Sequence, residues 1–215
     1  MTSVESTYLT ALYLRQELLF FRDNYQNKSI GYFGFFMKLK PHIISLYNSK
    51  VFLDGVGIHI RDNETICSNK RIITKHLECC NYLRNKVCGH LDDEFCEMAK
   101  KWEPSTLMKW PQKANTADEK RGRVDLFVKA LMESAFNSFI ADNPTQTFFS
   151  GEIDIFYPPN YKEVMCFIEF TNEHCIQLLT DIAEHLRPKI HFYEGLEDAF
   201  DAIKTAAELD FGVRN

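Results

Sequence analysis

The chain of 215 residues has no run of 18 or more apolar residues, so no membrane-spanning helix and no membrane partner are expected. Its first residues, Met1-Thr2-Ser3-Val4-Glu5, lack the basic and apolar regions of a secretory signal, which points to a cytoplasmic protein. Nine glycines and seven prolines are too few for a collagen-like or low-complexity chain. There is no Gly-rich phosphate loop, no Gly-x-Ser-x-Gly elbow, no His-Glu-x-x-His and no Cys-x-x-Cys. The motif routes to nucleotide hydrolysis, serine hydrolysis, zinc proteolysis and dithiol exchange are therefore closed. Seven cysteines, an odd number with Cys79 and Cys80 adjacent and no secretory signal before them, are expected to be reduced and mostly buried thiols. Cys79, Cys80, Cys88, His90 and Cys96 crowd together, but their spacing matches no common structural zinc arrangement, and neither metal nor other cofactor is expected.

What the chain does have is an uneven charge. Its net of −5 divides into 20 basic and 16 acidic residues over 1–141, and 5 basic and 14 acidic residues over 142–215. The acidic third also changes in pattern, so the expected organisation is a helical bundle over 1–141 followed by an acidic elaboration over 142–215, packed on it. The fold class is mainly α.

Helical spacing predicts a first helix from about residue 4 to 25, capped by Ser3, with Leu12, Leu19 and Phe20 on its buried side. An apolar stretch after Gly31 meets Pro41, which either kinks a helix or starts a new one, and Gly55 and Gly57 weaken the pattern. Ser68 is the expected cap of a helix whose stripe is Ile72, Ile73, His76, Leu77, Cys80 and Leu83. A short helix from Asp92 to Trp102 begins with three acids, suiting the helix dipole. Residues 103–123 read as a mobile basic loop, and 124–141 as another helix. Beyond it, the alternation in 151–157, the Pro158-Pro159 pair and the apolar run from Val164 to Phe170 favour a β-hairpin over 151–170, with a continuous helix from Lys162 to Leu186 as the competitor. Helices over 173–186 and 196–209 close the chain.

One segment carries chemistry: Arg84-Asn85-Lys86-Val87-Cys88-Gly89-His90, at the end of an amphipathic helix. In an unbroken α-helix, positions six apart are about 120° apart, so Arg84 and His90 share a face only if the helix is interrupted or a second chain contributes. The plain alternative is a pair of solvated cations near a helix C-terminus. Arg, a polar residue, and His after a short gap resembles the signature of the HEPN superfamily of helical-bundle proteins, many of them ribonucleases of prokaryotic defence and toxin–antitoxin systems. The wider context, Tyr82 to Asp92, is most similar to the AbiU2-like abortive-infection branch, and the resemblance covers mainly residues 1–141.

That resemblance implies a HEPN-like bundle, a homodimer with two motifs in one cleft, RNA as partner and metal-independent cleavage. His90 would move the 2′-OH proton, Arg84 would stabilise the charged phosphate and Asn85 would orient the imidazole or contact a phosphate oxygen. Lys86, Lys100, Lys101, Lys109 and Lys113, with Trp102 and Trp110 interleaved, are the candidate RNA-binding residues. The Trp pair partly buried beneath a lysine-bearing loop is the blander alternative. A protein antitoxin or regulatory partner is the further implication. The competing function is a non-catalytic binding module acting through such a partner.

Overall fold

A computed structural model describes residues 3–24, 32–88, 93–108 and 116–200. Seven α-helices are found among them: α1 (Val4–Asn24), α2 (Tyr32–Gly55), α3 (Gly57–Ile60), α4 (Glu64–Leu83), α5 (Asp93–Trp102), α6 (Thr116–Asp142) and α7 (Pro158–Leu186). A π turn, Arg84–Cys88, extends α4, and 3₁₀ turns occupy Pro104–Leu107 and Arg187–Lys189. Among the described residues there is no β-strand, and no helix is long and apolar enough to cross a membrane.

Helix α7 lies along α1, α2 and α4, and α6 packs on α2, α4 and α5. Arg15 Nε donates to Thr180 Oγ1 at 2.8 Å, and Arg22 approaches Glu173 at 3.9 Å, so α1 and α7 run antiparallel. One buried cluster threads all of these: Leu14 and Leu18 of α1, Leu39 and Leu46 of α2, Ile73 and Leu77 of α4, Leu131 and Phe136 of α6, and Leu179 and Ile182 of α7.

The hairpin is not formed. Pro158 and Pro159 occupy the first turn of α7, where proline's fixed φ suits a helix start and its missing N–H costs nothing. The run after them buries Val164, Phe167, Ile168, Thr171, Asn172 and Cys175, a helical spacing. The alternation in 151–157 is real, since Ile153 and Ile155 are buried and their neighbours exposed, but its partner is a helix. Asn137 of α6 accepts from Ile153 N at 2.6 Å and donates to Ile153 O at 3.0 Å, while Glu133 Oε1 accepts from Ile155 N at 2.6 Å. Side chains of α6 thus supply the hydrogen bonds that a neighbouring strand would have made.

Four other expectations are corrected. The inward side of α1 is Thr7, Ala11, Leu14 and Leu18, whereas Leu12 and Phe20 are exposed, because this helix is apolar on opposite sides and spacing alone does not choose between them. Asn63, not Ser68, caps α4, accepting from Ile66 N at 3.1 Å, and Ser68 lies within the helix. Ile72 is exposed rather than part of the α4 stripe. Residues 116–123 belong to α6 rather than to a loop, held by Arg123, whose guanidinium bonds Glu119 one turn back and the carbonyls of Thr106 and Met108. Ser3 does cap α1, accepting from Ser6 N at 3.1 Å, and Pro41 sits on the exposed side of an uninterrupted α2. Of the expected final helix, residues 196–200 are helical and the remainder lies outside the described residues.

Two polar contacts lock α7 and α6. His42 of α2, fully buried, lies with Nε2 2.9 Å from Asn172 Oδ1 of α7 and stacks on Phe21 of α1 at 5.0 Å. Burial holds its pKa down at about 4, against a partial upward pull from Asn172. Lys129 of α6 is buried with Nζ 3.0 Å from Glu133, 3.3 Å from Glu103 and 3.8 Å from Asp154, and 4.2 Å from the centre of the Phe156 ring. It thereby joins α6, the end of α5 and the segment entering α7.

His42 sets a pH dependence. The unfolded chain takes up a proton on this ring near pH 6.5, the folded chain only near pH 4, so the stability it confers is complete above 6.5 and is lost as pH falls through that window. At pH 5 the loss is about 2 kcal/mol at 1.36 kcal/mol per pH unit. Urea unfolding at pH 7 and pH 5 should show this difference, and His42→Gln should reduce it by that amount.

The thiols divide by position. Cys79, Cys80, Cys88 and Cys175 are buried, with burial pushing Cys88 and Cys175 up to about 12, while Cys166 is exposed on α7. A chromogenic disulfide reagent should label native protein in a fast phase abolished by Cys166→Ser, and the four buried thiols should react only on unfolding.

Candidate functional site

The helical hydrogen bonding of α4 changes where the motif begins. Arg84 N–H is shared between the carbonyls of Cys80 and Asn81, and the following residues wind as a π turn through Cys88. Such turns are rare and occur often at functional sites, because the wider circuit re-aims side chains. Val87 and Cys88 anchor the turn in the core, against α2, α4 and α6. Arg84, Asn85 and Lys86 occupy its accessible side, Asn85 the most exposed.

Arg84 is held from two directions. Its guanidinium carbon lies 4.8 Å from the centre of the Tyr47 ring on α2, and its Nη1 donates to Asn85 Oδ1 at 3.0 Å. Asn85 Nδ2 in turn donates to Asn81 Oδ1 at 3.3 Å. No carboxylate among the described residues lies within ion-pair distance of Arg84. A guanidinium stacked on an aromatic face and steadied by a neutral amide keeps its full charge and its remaining N–H donors for an anion. Burial raises the Cys88 thiol, and the nearby cations Lys40 and Arg84 act in the opposite direction, which places a second positive charge from α2 beside the turn. The arrangement presents a partly exposed guanidinium with N–H donors that an anion could reach.

Tyr47 and Lys40 were missed in the sequence. Both lie on α2, seven residues apart and so on one face, but no local pattern links them to a motif some forty residues later. His90 lies outside the described residues, as do Lys109, Lys113 and Trp110. Lys100 is exposed on α5 and pairs with Glu97 at 2.6 Å; Lys101 is exposed beside it. Trp102, at the end of α5, is 57% exposed, and Leu107 and Met108 beyond it are exposed as well.

A cleft of about 440 Å³ lies between α4, α7 and the segment before α7, lined by residues including His76, Phe148, Pro159, Lys162, Cys166 and Phe170. His76 stacks among Phe148, Phe167 and Phe170, and burial lowers its pKa. His174 covers the outer side of Phe170 at 3.8 Å, with Nδ1 2.8 Å from that residue's carbonyl oxygen. His185 lies 3.2 Å from Asp62, joining the end of α7 to the turn between α3 and α4. These contacts give the three histidines packing or linking roles. Among the described residues no group of three or more His, Cys, Asp or Glu side chains is placed to hold a metal ion. Compared with known proteins, the chain matches no family model, no curated protein and no solved structure.

Proposed function

We propose that the protein is a metal-independent endoribonuclease of the HEPN type, working as a homodimer in a prokaryotic defence or toxin–antitoxin setting. The observation that supports this most is the Arg84–Asn85 pair on its π turn: a guanidinium oriented by Tyr47 and Asn85, with no carboxylate partner among the described residues, six positions ahead of a histidine in sequence. His90 removes the 2′-OH proton as general base. The 2′-oxygen attacks phosphorus, the bond to the 5′-oxygen breaks, and that oxygen leaves with a proton, so the product ends in a 2′,3′-cyclic phosphate. Arg84 offsets the charge that builds on the non-bridging oxygens, and Asn85 holds the fork in place. The exposed lysines 100 and 101 with Trp102 offer a route for the flanking single strand, through phosphate contacts and base stacking.

A second reading rests on a different feature. Trp102, Leu107 and Met108 are large apolar side chains left exposed at and just after the end of α5, which fits a non-catalytic module acting through an antitoxin or regulatory partner.

The two are separated by one assay. With single-stranded RNA, Arg84→Ala and His90→Ala should each lower the cleavage rate by at least about 100-fold, the contribution expected of electrostatic stabilisation and of general acid–base catalysis respectively, with unchanged circular dichroism. EDTA should have no effect. Cleavage that persists in His90→Ala overturns the enzyme reading, and a wild-type protein inert toward RNA but lost from a partner complex on Trp102→Ala favours the module.

A further inference from the structure

The cleft that opens beside α7 encloses about 440 Å³, within the range of small-molecule sites. One of its walls is a single face of α7. Pro159, Lys162, Glu163, Cys166, Phe167 and Phe170 stand at i, i+3, i+4, i+7, i+8 and i+11, the spacing of side chains that share one side of a helix. His76 of α4 and Phe148, from the segment ahead of α7, make the opposite wall.

Both walls are aromatic. Between ring centres, His76 lies 4.4 Å from Phe148 and 4.7 Å from Phe170, and Phe148 lies 5.5 Å from Phe167. Packing against one another does not use these rings up, since Phe170 remains 39% exposed and Cys166, one turn before it, is exposed as well. A hollow so lined holds water poorly, because a water molecule there finds few polar partners.

Lys162 and Glu163 bring charge to the cleft, and the two are not equivalent. Glu163 is half-buried and accepts from Asn160 Nδ2 at 3.4 Å. Lys162 is exposed, and no carboxylate among the described residues lies within ion-pair distance of its ammonium. Burial lowers the pKa of His76 and so keeps the ring neutral at pH 7, which makes it a wall and not a second cation. The first turn of α7, which carries Pro159, has no acidic residue, so the positive end of the helix dipole acts in the same sense as Lys162.

We propose that this cleft binds a small planar aromatic anion, in its simplest form an aryl carboxylate, with its ring between the α7 face and the His76–Phe148 wall and its anionic group at Lys162. A flat ring suits walls that present π faces and edges, because offset and edge-on contacts reward it beyond the area it buries. A single cation on a flexible stem at one end then fixes which way the ligand points. The inference does not depend on the ribonuclease reading, since no residue of the cleft belongs to the Arg84 turn.

Naphthalene-2-carboxylate, titrated calorimetrically into the full-length protein, tests it. Binding should saturate at one ligand per chain, with a Kd on the order of 1 mM or tighter for a ligand of this size. At ten times its Kd the ligand should slow iodoacetamide labelling of Cys166, read by intact mass, about tenfold by mass action. Lys162→Glu should weaken binding at least about tenfold and Lys162→Arg should preserve it, both at an exposed position that leaves the fold intact. Phe170→Ala should weaken it at least about threefold, and octanoate, the same charge on a flexible chain, should bind at least about tenfold less tightly. Absence of saturable binding overturns the proposal, as does labelling of Cys166 that the ligand fails to slow. So does an affinity that survives both Lys162→Glu and Phe170→Ala, or octanoate binding as tightly as the aryl carboxylate, which would assign the cleft to acyl chains.

Discussion

Burial of α7 is the constraint from which the rest of this structure follows. Twelve of its side chains are withdrawn from water, and they point toward α1, α2 and α4 rather than along one stripe. A helix so placed needs covering on several sides, and that need sets where α1, α2 and α4 lie. It also needs its polar interruptions satisfied. Asn172, at the middle of the helix, is buried because His42 reaches it from α2, and the neutral imidazole is held there by the same desolvation that lowers its pKa. The start of α7 is set by the Pro158-Pro159 pair and by the side chains of Asn137 and Glu133, which hold the preceding strand-like segment against α6.

The charge of the chain takes its place in that frame. The acidic surplus of the last third is carried in part by Glu169, Glu173 and Glu184, the solvent side of a helix whose other sides form the core. Away from these carboxylates in the chain, Arg84 sits on its π turn, stacked over Tyr47 of α2, with Lys40 acting on the same turn. Core-facing Val87 and Cys88 tie the turn to the bundle, so an accessible guanidinium is positioned by buried neighbours rather than by a mobile loop.

Most helices were legible from residue spacing: α1 nearly to its ends with its Ser3 cap, α5 from its acidic first turn, and the C-terminal half of α7. Where reading failed, two answers satisfied the same local signal. Val164 to Phe170 is apolar enough for a buried strand or a buried helix, and the decision came from α1, α2 and α4, which are distant in sequence. The alternation of Ile153 and Ile155 did report burial on one side, but spacing does not reveal whether the bonded neighbour is a strand or a pair of helix side chains. Residues 116–123 looked like a loop because Gly122 and the charges suggest one, while Arg123 bonds to Thr106 and Met108 through contacts no periodicity records. At the candidate site, Arg84 and Asn85 were visible as a motif. Tyr47 and Lys40 were not, because their relation to it exists only once α2 and α4 have packed.

The pairing of α1 with α7 has a consequence for how the molecule is made. Arg15 and Thr180, in contact in the finished protein, are 165 residues apart in the chain. At the usual pace of ribosomal synthesis, α1 leaves the ribosome on the order of ten to thirty seconds before its main partner exists. Throughout that interval the side of α1 that carries Ala11, Leu14 and Leu18 has no α7 to cover it. The nascent chain is therefore exposed to self-association and to holding chaperones at α1 until α7 has been made.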